Sequence, residues 1–342
     1  MRSARAIALA ASLAAACAHA PARTAGTHLP GDPAWPRGEG RTIAWLGEVR
    51  GPEDLGIVRG FLGRVWAVVT GRRDVEGLYR PSGVAVDADG RVAIADPGRR
   101  TVHLYDPARR EARRIRGEGR AALVFPVAVA FVRGTLLVAD PDAGAVRAFD
   151  RRGRAVPAPV PLPPLRRPVA LAVDEARGRL FVTDTAAHAV HVVPLAPGGE
   201  ARVLGGRGAD PGRFNYPTHL AVDAEGRLAV CDAMNFRVQL FDAALRPAGA
   251  FGQAGDGLGD LPRPKGIAVD RDGVVFVLDG YYDVIQAFDR GGRLLGALGG
   301  SGVGPGRLWL AAGMALDARG RLWVADTFNG RVQLFDLEAR TP

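Results

Sequence analysis

From Leu78 onward, apolar runs of five to seven residues alternate with Asp-Gly, Glu-Gly or Arg-Gly pairs such as Asp89-Gly90, Glu225-Gly226, Asp272-Gly273 and Arg319-Gly320. Runs this short, rich in Val, Leu, Phe and Ala and punctuated this way, predict strands joined by tight hairpins. The pattern also repeats. Pro217 to Asp223, Pro264 to Asp270 and Ala311 to Asp317 are copies of one segment; Pro81 to Asp87 and Pro168 to Asp174 match them, and Pro126 begins a weaker copy. A second apolar run follows each and closes on Asp96, Asp140, Asp184, Asp232, Asp279 and Asp326, at spacings of 44, 44, 48, 47 and 47 residues. A third run ends at Asp106, Asp150, Pro194, Asp242, Asp289 and Asp336 with the same spacings, and a fourth, weaker one follows, as in Arg293 to Gly299. A fixed period of this size marks a stack of repeated supersecondary units, and four-stranded propeller blades fall near it.

The last unit lacks its fourth strand, and the missing piece stands at the other end of the chain: Arg41 to Gly47 parallels Arg293 to Gly299. The expected fold is therefore all-β, a six-bladed β-propeller of four-stranded blades over 41–336, with strand 41–47 completing the last blade and blades over 78–336. Such closure leaves no open sheet edge. Residues 337–342 read as a tail. The junction 48–77 is longer than the others, and Ile57, Val58, Phe61, Leu62, Val65, Trp66 and Val69 recur at i, i+4, i+8 before Thr70-Gly71. That spacing predicts one short amphipathic helix over about 57–69, inserted before blade one on the rim where first strands begin.

Within the last three units the resemblance becomes specific. Asp232-Ala-Met-Asn235-Phe-Arg237-Val-Gln-Leu-Phe-Asp242 and Asp326-Thr-Phe-Asn329-Gly-Arg331-Val-Gln-Leu-Phe-Asp336 resemble the NHL repeat, as does the linker Gly205 to Phe214. The resemblance covers 41–336; in blades two and three the Asn and Arg of the motif are lost. It implies a propeller scaffold, in a family that includes binding scaffolds, receptor sensor domains, RNA binders and a few lyases and lactonases, so it carries fold and not chemistry.

The N-terminus reads as an export signal. Arg2 and Arg5 precede eleven mostly apolar residues, Ala6 to Ala16, too short a run to span a bilayer. Leu13-Ala14-Ala15-Ala16-Cys17 resembles a bacterial lipobox, which implies removal of 1–16 and lipidation of Cys17; Ala14 departs from the usual Leu or Val at its position. Ala18, not Asp, after the Cys implies outer-membrane sorting of a lipoprotein facing the periplasm. The rival reading is a secretory cut after Ala18-His19-Ala20, which would leave Pro21 beside the cut. Pro21, Pro30, Pro33 and Pro36 make 17–40 an expected flexible tether, spanning about 27 Å on average as a free coil. The only other cysteine, Cys231, sits in an apolar run and reads as a buried small hydrophobe.

Charge changes little in this picture. The formal net charge is +9 with 45 basic residues, of which Lys265 is the single lysine. Scattered arginines among acids, in a chain heavy in Ala, Gly, Pro and Val, look like coding bias and not a built basic patch, and export argues against a nucleic-acid partner. The Gly-rich stretch Gly299 to Gly306 is followed by a strand and recurs at 205–212 and 252–259, so it reads as turn chemistry and not a phosphate loop.

Repetition separates structural residues from informative ones. Asp232, Asn235, Arg237, Asp326, Asn329 and Arg331 recur and are expected to fix turns. Residues that break the repeat are the candidates. The third position of strand one reads Gly83, Ala128, Ala170, His219, Gly266 and Gly313, and the position before it Ser82, Val127, Val169, Thr218, Lys265 and Ala312. His219, Thr218 and Lys265 are thus placed on one rim with His188, Met234, Phe236, Tyr281, Tyr282, Asp283 and Phe328, a set suited to a ligand or peptide surface. His219 has two open readings, a ligand-facing imidazole or one bonded only to its neighbouring blade. No catalytic set, cofactor or metal site is legible; the expectation is a monomeric envelope scaffold binding a protein, peptide or polymer. The alternative is a propeller hydrolase or lyase with a metal on the axis.

Overall fold

A computed structural model describes residues 41–57 and 77–340. After β1 (Arg41–Val49), blade one is built from β2 (Gly83–Val86), β3 (Val92–Asp96), β4 (Thr101–Asp106) and β5 (Glu111–Ile115). Blade two has β6 (Ala128–Val132), β7 (Thr135–Asp140), β8 (Ala145–Phe149) and a short β9 (Ala155–Val156), and blade three β10 (Pro168–Asp174), β11 (Arg179–Asp184), β12 (Ala189–Pro194) and β13 (Arg202–Gly205). Blade four has β14 (Pro217–Val222), β15 (Leu228–Asp232), β16 (Arg237–Phe241) and β17 (Pro247–Phe251), and blade five β18 (Pro264–Val269), β19 (Val275–Asp279), β20 (Val284–Phe288) and β21 (Leu294–Gly299). Blade six contributes β22 (Met314–Leu316), β23 (Arg321–Asp326) and β24 (Arg331–Arg340). Each blade is a four-stranded antiparallel sheet, and the sixth has the order β1-β24-β23-β22. The N-terminal strand therefore closes the ring, as its sequence parallel implies.

Successive side chains of a strand point to opposite faces, and here the two faces of each blade feed two different cores. On β14, Leu220 and Val222 pack with Phe181 and Phe214 of the blade-three side, whereas Ala221 packs with Cys231, Phe251 and Phe288. Six apolar layers result, one between each pair of neighbouring blades. The layer between blades six and one joins Val49, Trp323 and Val332 to Val84, Ile94 and Tyr105, so the ring is sealed by packing as well as by strand pairing.

First strands run from a connection rim, which carries the fourth-to-first connections and the second-to-third turns, to a hairpin rim. The aspartate ending each second strand is almost wholly buried at the connection rim. Its carboxylate accepts from the backbone of the incoming connection: Tyr79 N and Arg80 N for Asp96, Val124 N and Phe125 N for Asp140, Arg166 N and Arg167 N for Asp184, then Asn215 N, Arg263 N and Trp309 N for Asp232, Asp279 and Asp326. In blades four and six it also gathers the motif side chains. Asn235 Nδ2, Arg237 Nε and Gln239 Nε2 lie 2.8, 2.9 and 3.0 Å from Asp232 Oδ2. Asn329 Nδ2, Arg331 Nε and Gln333 Nε2 lie 2.9, 2.7 and 3.0 Å from Asp326 Oδ2. Where the Gln is replaced, His103 and His191 stand 3.6 and 3.8 Å from Asp96 and Asp184. Burial alone would raise the Asp184 carboxyl, but His191 and the amides of Arg166, Arg167 and Ala187 lower it to about 2.

The arginines are spent in a similar way. Asp87–Arg91, Asp223–Arg227 and Asp317–Arg321 brace first-to-second hairpins at 2.6 to 2.7 Å. Asp150–Arg154, Asp242–Arg246 and Asp289–Arg293 repeat the device at third-to-fourth hairpins.

Two boundaries differ from the sequence reading. Strand β24 continues through 337–340, where a tail was expected, because Arg340 and Ala339 pair with Arg41 and Thr42. The start of the long junction forms a single 3-10 turn, Pro52–Leu55, with Ile57 buried against the layer between blades six and one. The expected helix over about 57–69 lies almost wholly outside the described residues, as do Cys17, the signal segment and the tether.

Candidate functional site at the connection rim

The strands of blades four and five enter the ring through bulges. Pairing of β14 with β15 skips between Pro217 and Leu220, and that of β18 with β19 between Pro264 and Ile267. The skipped residues are Thr218-His219 and Lys265-Gly266. A bulge re-aims side chains at the end of a strand, and here it sets the two basic groups of adjacent blades at the same end of the axis.

The small residues around them have a plain cause. A Cβ on Gly83, Gly266 or Gly313 would lie 2.5, 2.6 or 2.6 Å from the carbonyl oxygen of Val127, Ala312 or Ser82 on the next inner strand. Inner strands touch there, and His219 is the one large side chain in that tier. The axial cavity, about 600 Å³, is lined from the next residue onward, Val84, Val129, Leu171, Leu220, Ile267 and Met314, and its charged lip, Asp87, Asp89, Arg91, Arg133 and Glu175, lies on the hairpin rim. The cavity thus opens on the rim opposite His219.

Three ionisable groups define the site. His219 Nδ1 is buried without a hydrogen-bond partner. Burial, then the charge of Lys265, lowers its pKa to about 4. Lys265 is itself depressed, by burial and then by Arg263, with Asp283 acting in the opposite sense. Asp283, 4% exposed, has Oδ1 buried without a partner while Oδ2 accepts from Ser301 Oγ at 3.2 Å. Burial raises it above the usual carboxylate range against the pull of Ser301 and the amides of Leu310 and Ala311. Asp283 also adopts φ 55°, as do His188 at 53° and Phe236 at 57° in the matching turns of blades three and four. Arg100, Gly144 and Gly330 hold the same turn position in the other blades at 51°, 60° and 61°, so this left-handed backbone belongs to the repeat and does not by itself mark the site.

Lys265 has a dedicated berth. Its stem crosses Gly280, where an added Cβ would come within 2.6 Å of Lys265 Cδ. The same position in the other blades is Pro97, Pro141, Thr185, Ala233 and Thr327. The long basic side chain and the glycine beneath it are one coupled departure from the repeat.

Other sequence-chosen residues divide. Thr218 Oγ1 donates to Pro264 O at 3.2 Å, as Ser82 Oγ does to Val127 O, so its donor clasps neighbouring inner strands and its acceptor side is what it could offer a ligand. His188 Nδ1 accepts from the Tyr216 amide at 3.1 Å and meets the Tyr216 ring edge-on at 4.4 Å. Tyr281, 67% exposed, packs edge-on with Tyr282 at 4.8 Å beside Asp283. Phe328 lies apart, at the junction of blades six and one, against Trp309 and beneath the Arg80 guanidinium. Tyr79, Tyr216 and Trp309 are exposed aromatics of this rim that the sequence reading passed over. Tyr216 directly precedes β14, whereas Tyr79 and Trp309 lie four and five residues before β2 and β22; other blades carry Val124, Arg167 and Arg263 at the corresponding places, so periodicity gave no signal for an aromatic.

Among the described residues no three His, Cys, Asp or Glu are grouped to hold a metal ion. Cys231 is fully buried and burial pushes its thiol up, out of reach of nucleophilic use at neutral pH. The His219 shift predicts a pH response. A histidine whose folded pKa lies below its unfolded value is neutral in the fold, so its contribution is complete above about 6.5 and is lost as pH falls through that value toward 4. Melting temperatures of the protein are expected to drop across that window more steeply than those of His219→Gln; parallel curves would show that the imidazole is solvated.

No family model matches the chain, and no curated protein matches it. Among solved structures it is similar to an auxiliary nutrient binding protein from Bacteroides thetaiotaomicron, at 12% identity over 77% of this chain and 70% of that one, TM-score 0.60. A gluconolactonase from Xanthomonas campestris matches at 19% identity over 76% and 86%, TM-score 0.57. Virginiamycin B lyase from Staphylococcus aureus matches at 13% identity over 75% and 95%, TM-score 0.54. At these identities the likeness is one of fold.

Proposed function

We propose that the chain is an exported NHL-type propeller, lipid-anchored through Cys17 at the outer membrane, whose connection rim binds a peptide, protein or polymer of the cell envelope without catalysing a reaction. The observation that carries this reading is the convergence of His219, Lys265 and Asp283 on adjacent blades, two of them with buried polar atoms that no protein group satisfies. Such atoms cost free energy unless a partner meets them, and the exposed aromatics around the rim supply contact area for one. The Asp-Asn-Arg-Gln clusters of blades four and six support the NHL assignment. The domain division follows: signal 1–16, lipidated Cys17 with its tether to residue 40, and the propeller from Arg41, acting as a monomer with no nucleic-acid partner.

A photoreactive residue at 219 or 265 in cells is expected to capture one recurring envelope partner, and capture at a rim control such as position 328 of a His219→Gly, Lys265→Ser double variant should fall about tenfold. Equal capture by the double variant would remove the site from the reading. The second reading, a hydrolase or lyase, is favoured by the fold shared with a gluconolactonase and virginiamycin B lyase. Lactone hydrolysis that depends on an added divalent metal and is lost in His219→Gly would select it.

A further inference from the structure

Between blades four and five the structure holds a second cavity, about 230 Å³, opening at the hairpin rim. Its origin can be read residue by residue. In each interblade layer one side chain from the second strand faces one from the next blade's first strand. The pairs are Ala93 with Phe131, Leu137 with Val173, Phe181 with Val222, Phe276 with Leu316, and Trp323 with Val86. Every one of these pairs contains at least one large side chain. At the remaining layer the pair is Ala229 with Val269, the smallest of the six, and the large side chains of that layer, Phe251 and Phe288 among them, come from other positions. The cavity stands where the other five layers carry a leucine, phenylalanine or tryptophan.

Its mouth carries two guanidinium groups, Arg227 and Arg290, set against two carboxylates, Asp223 and Glu225. Arg227 is tied to Asp223 at 2.6 Å and reaches Glu225 at 2.9 Å, and Arg290, half exposed and lying over Gly273, has the same Glu225 at 3.8 Å. Two guanidinium groups therefore share one solvent-exposed carboxylate, and an anion arriving from solution can take that carboxylate's place through charge-assisted hydrogen bonds. A dry cavity of roughly 150 Å³ already accommodates benzene, so this one has room for a ring-sized apolar body below the arginines.

We propose that the cavity between blades four and five binds a small amphiphilic anion, with an apolar body the size of one aromatic ring against Ala229, Leu240 and Val269 and a carboxylate on Arg227 and Arg290. The site is separate from the connection rim and does not depend on the function proposed for it. Calorimetric titration of the purified protein with phenylacetate tests it, with acetate and phenylacetamide as probes lacking the ring or the charge. Phenylacetate is expected to bind saturably and roughly tenfold or more tighter than either. Ala229→Phe and Val269→Phe, which fill the space from its two sides, should each abolish that binding while raising the melting temperature. Arg290→Gln should weaken it about tenfold with the melting temperature unchanged. Absence of saturable binding, equal binding of acetate or phenylacetamide, or binding that survives in whichever filled variant folds would each overturn the proposal.

Discussion

Replacing Asp326 with alanine is expected to cost about 3–5 kcal/mol, lowering the melting temperature by roughly 10 °C. The carboxylate is fully buried and gathers Asn329, Arg331, Gln333 and the Trp309 amide. Arg331 is itself 2% exposed, so removing Asp326 strands most of a buried guanidinium, leaving it Glu48 at 2.6 Å and two carbonyls. Asp140 is the internal comparison. It accepts from the amides of Val124, Phe125 and Ala143, and its blade has neither the Asn nor the Arg of the motif. Asp140→Ala should therefore cost about half as much or less, since it orphans backbone donors but no charge. Equal losses in chemical denaturation would mean that the motif side chains add nothing to the turn.

Deleting the closing strand is expected to be the most damaging change. A protein beginning at residue 50 loses the burial of Val49, Ile43 and Trp45. It also loses the Trp45 Nε1 bond to Gln333 and the Glu48–Arg331 pair. At about 1.5–3 kcal/mol for each large apolar side chain fully buried, and less for the partly buried Ile43 and Trp45, the loss of burial is of order 5 kcal/mol. It also bares the edge of β24, so sedimentation should show self-association through that edge. A protein beginning at residue 41 keeps all of these contacts and is the control. If the two melt together and stay monomeric, the pairing of β1 with β24 does not hold the ring shut.

Much of the fold was legible because period and chemistry coincide in it. Every second strand ends on the aspartate that the spacing singled out, since that carboxylate must reach the next connection, and the parallel of Arg41–Gly47 with Arg293–Gly299 gave the closure. Less of the site was legible. His219 and Lys265 stand out as departures from a repeat, but Gly280 does not, because its meaning lies in the Lys265 stem above it. Nor does the sequence show that the Thr218 hydroxyl is engaged as a donor, since that turns on one carbonyl of the next blade. The Ala229–Val269 cavity is invisible to periodicity, since both residues suit a strand and only their pairing across two blades leaves the space.

The direction of the closing strand carries a mechanical consequence. β1 starts at the hairpin rim beside Arg340 and ends at the connection rim beside Val332. With the anchor proposed at Cys17, tension between the membrane and a partner held on the connection rim would enter the propeller along the axis of β1. The ladder from Arg41 to Val49 would then be loaded in shear, its hydrogen bonds sharing the force together instead of parting one after another. Closing the ring with the strand nearest the proposed anchor would give that end a grip in the direction in which a partner held on the connection rim would pull.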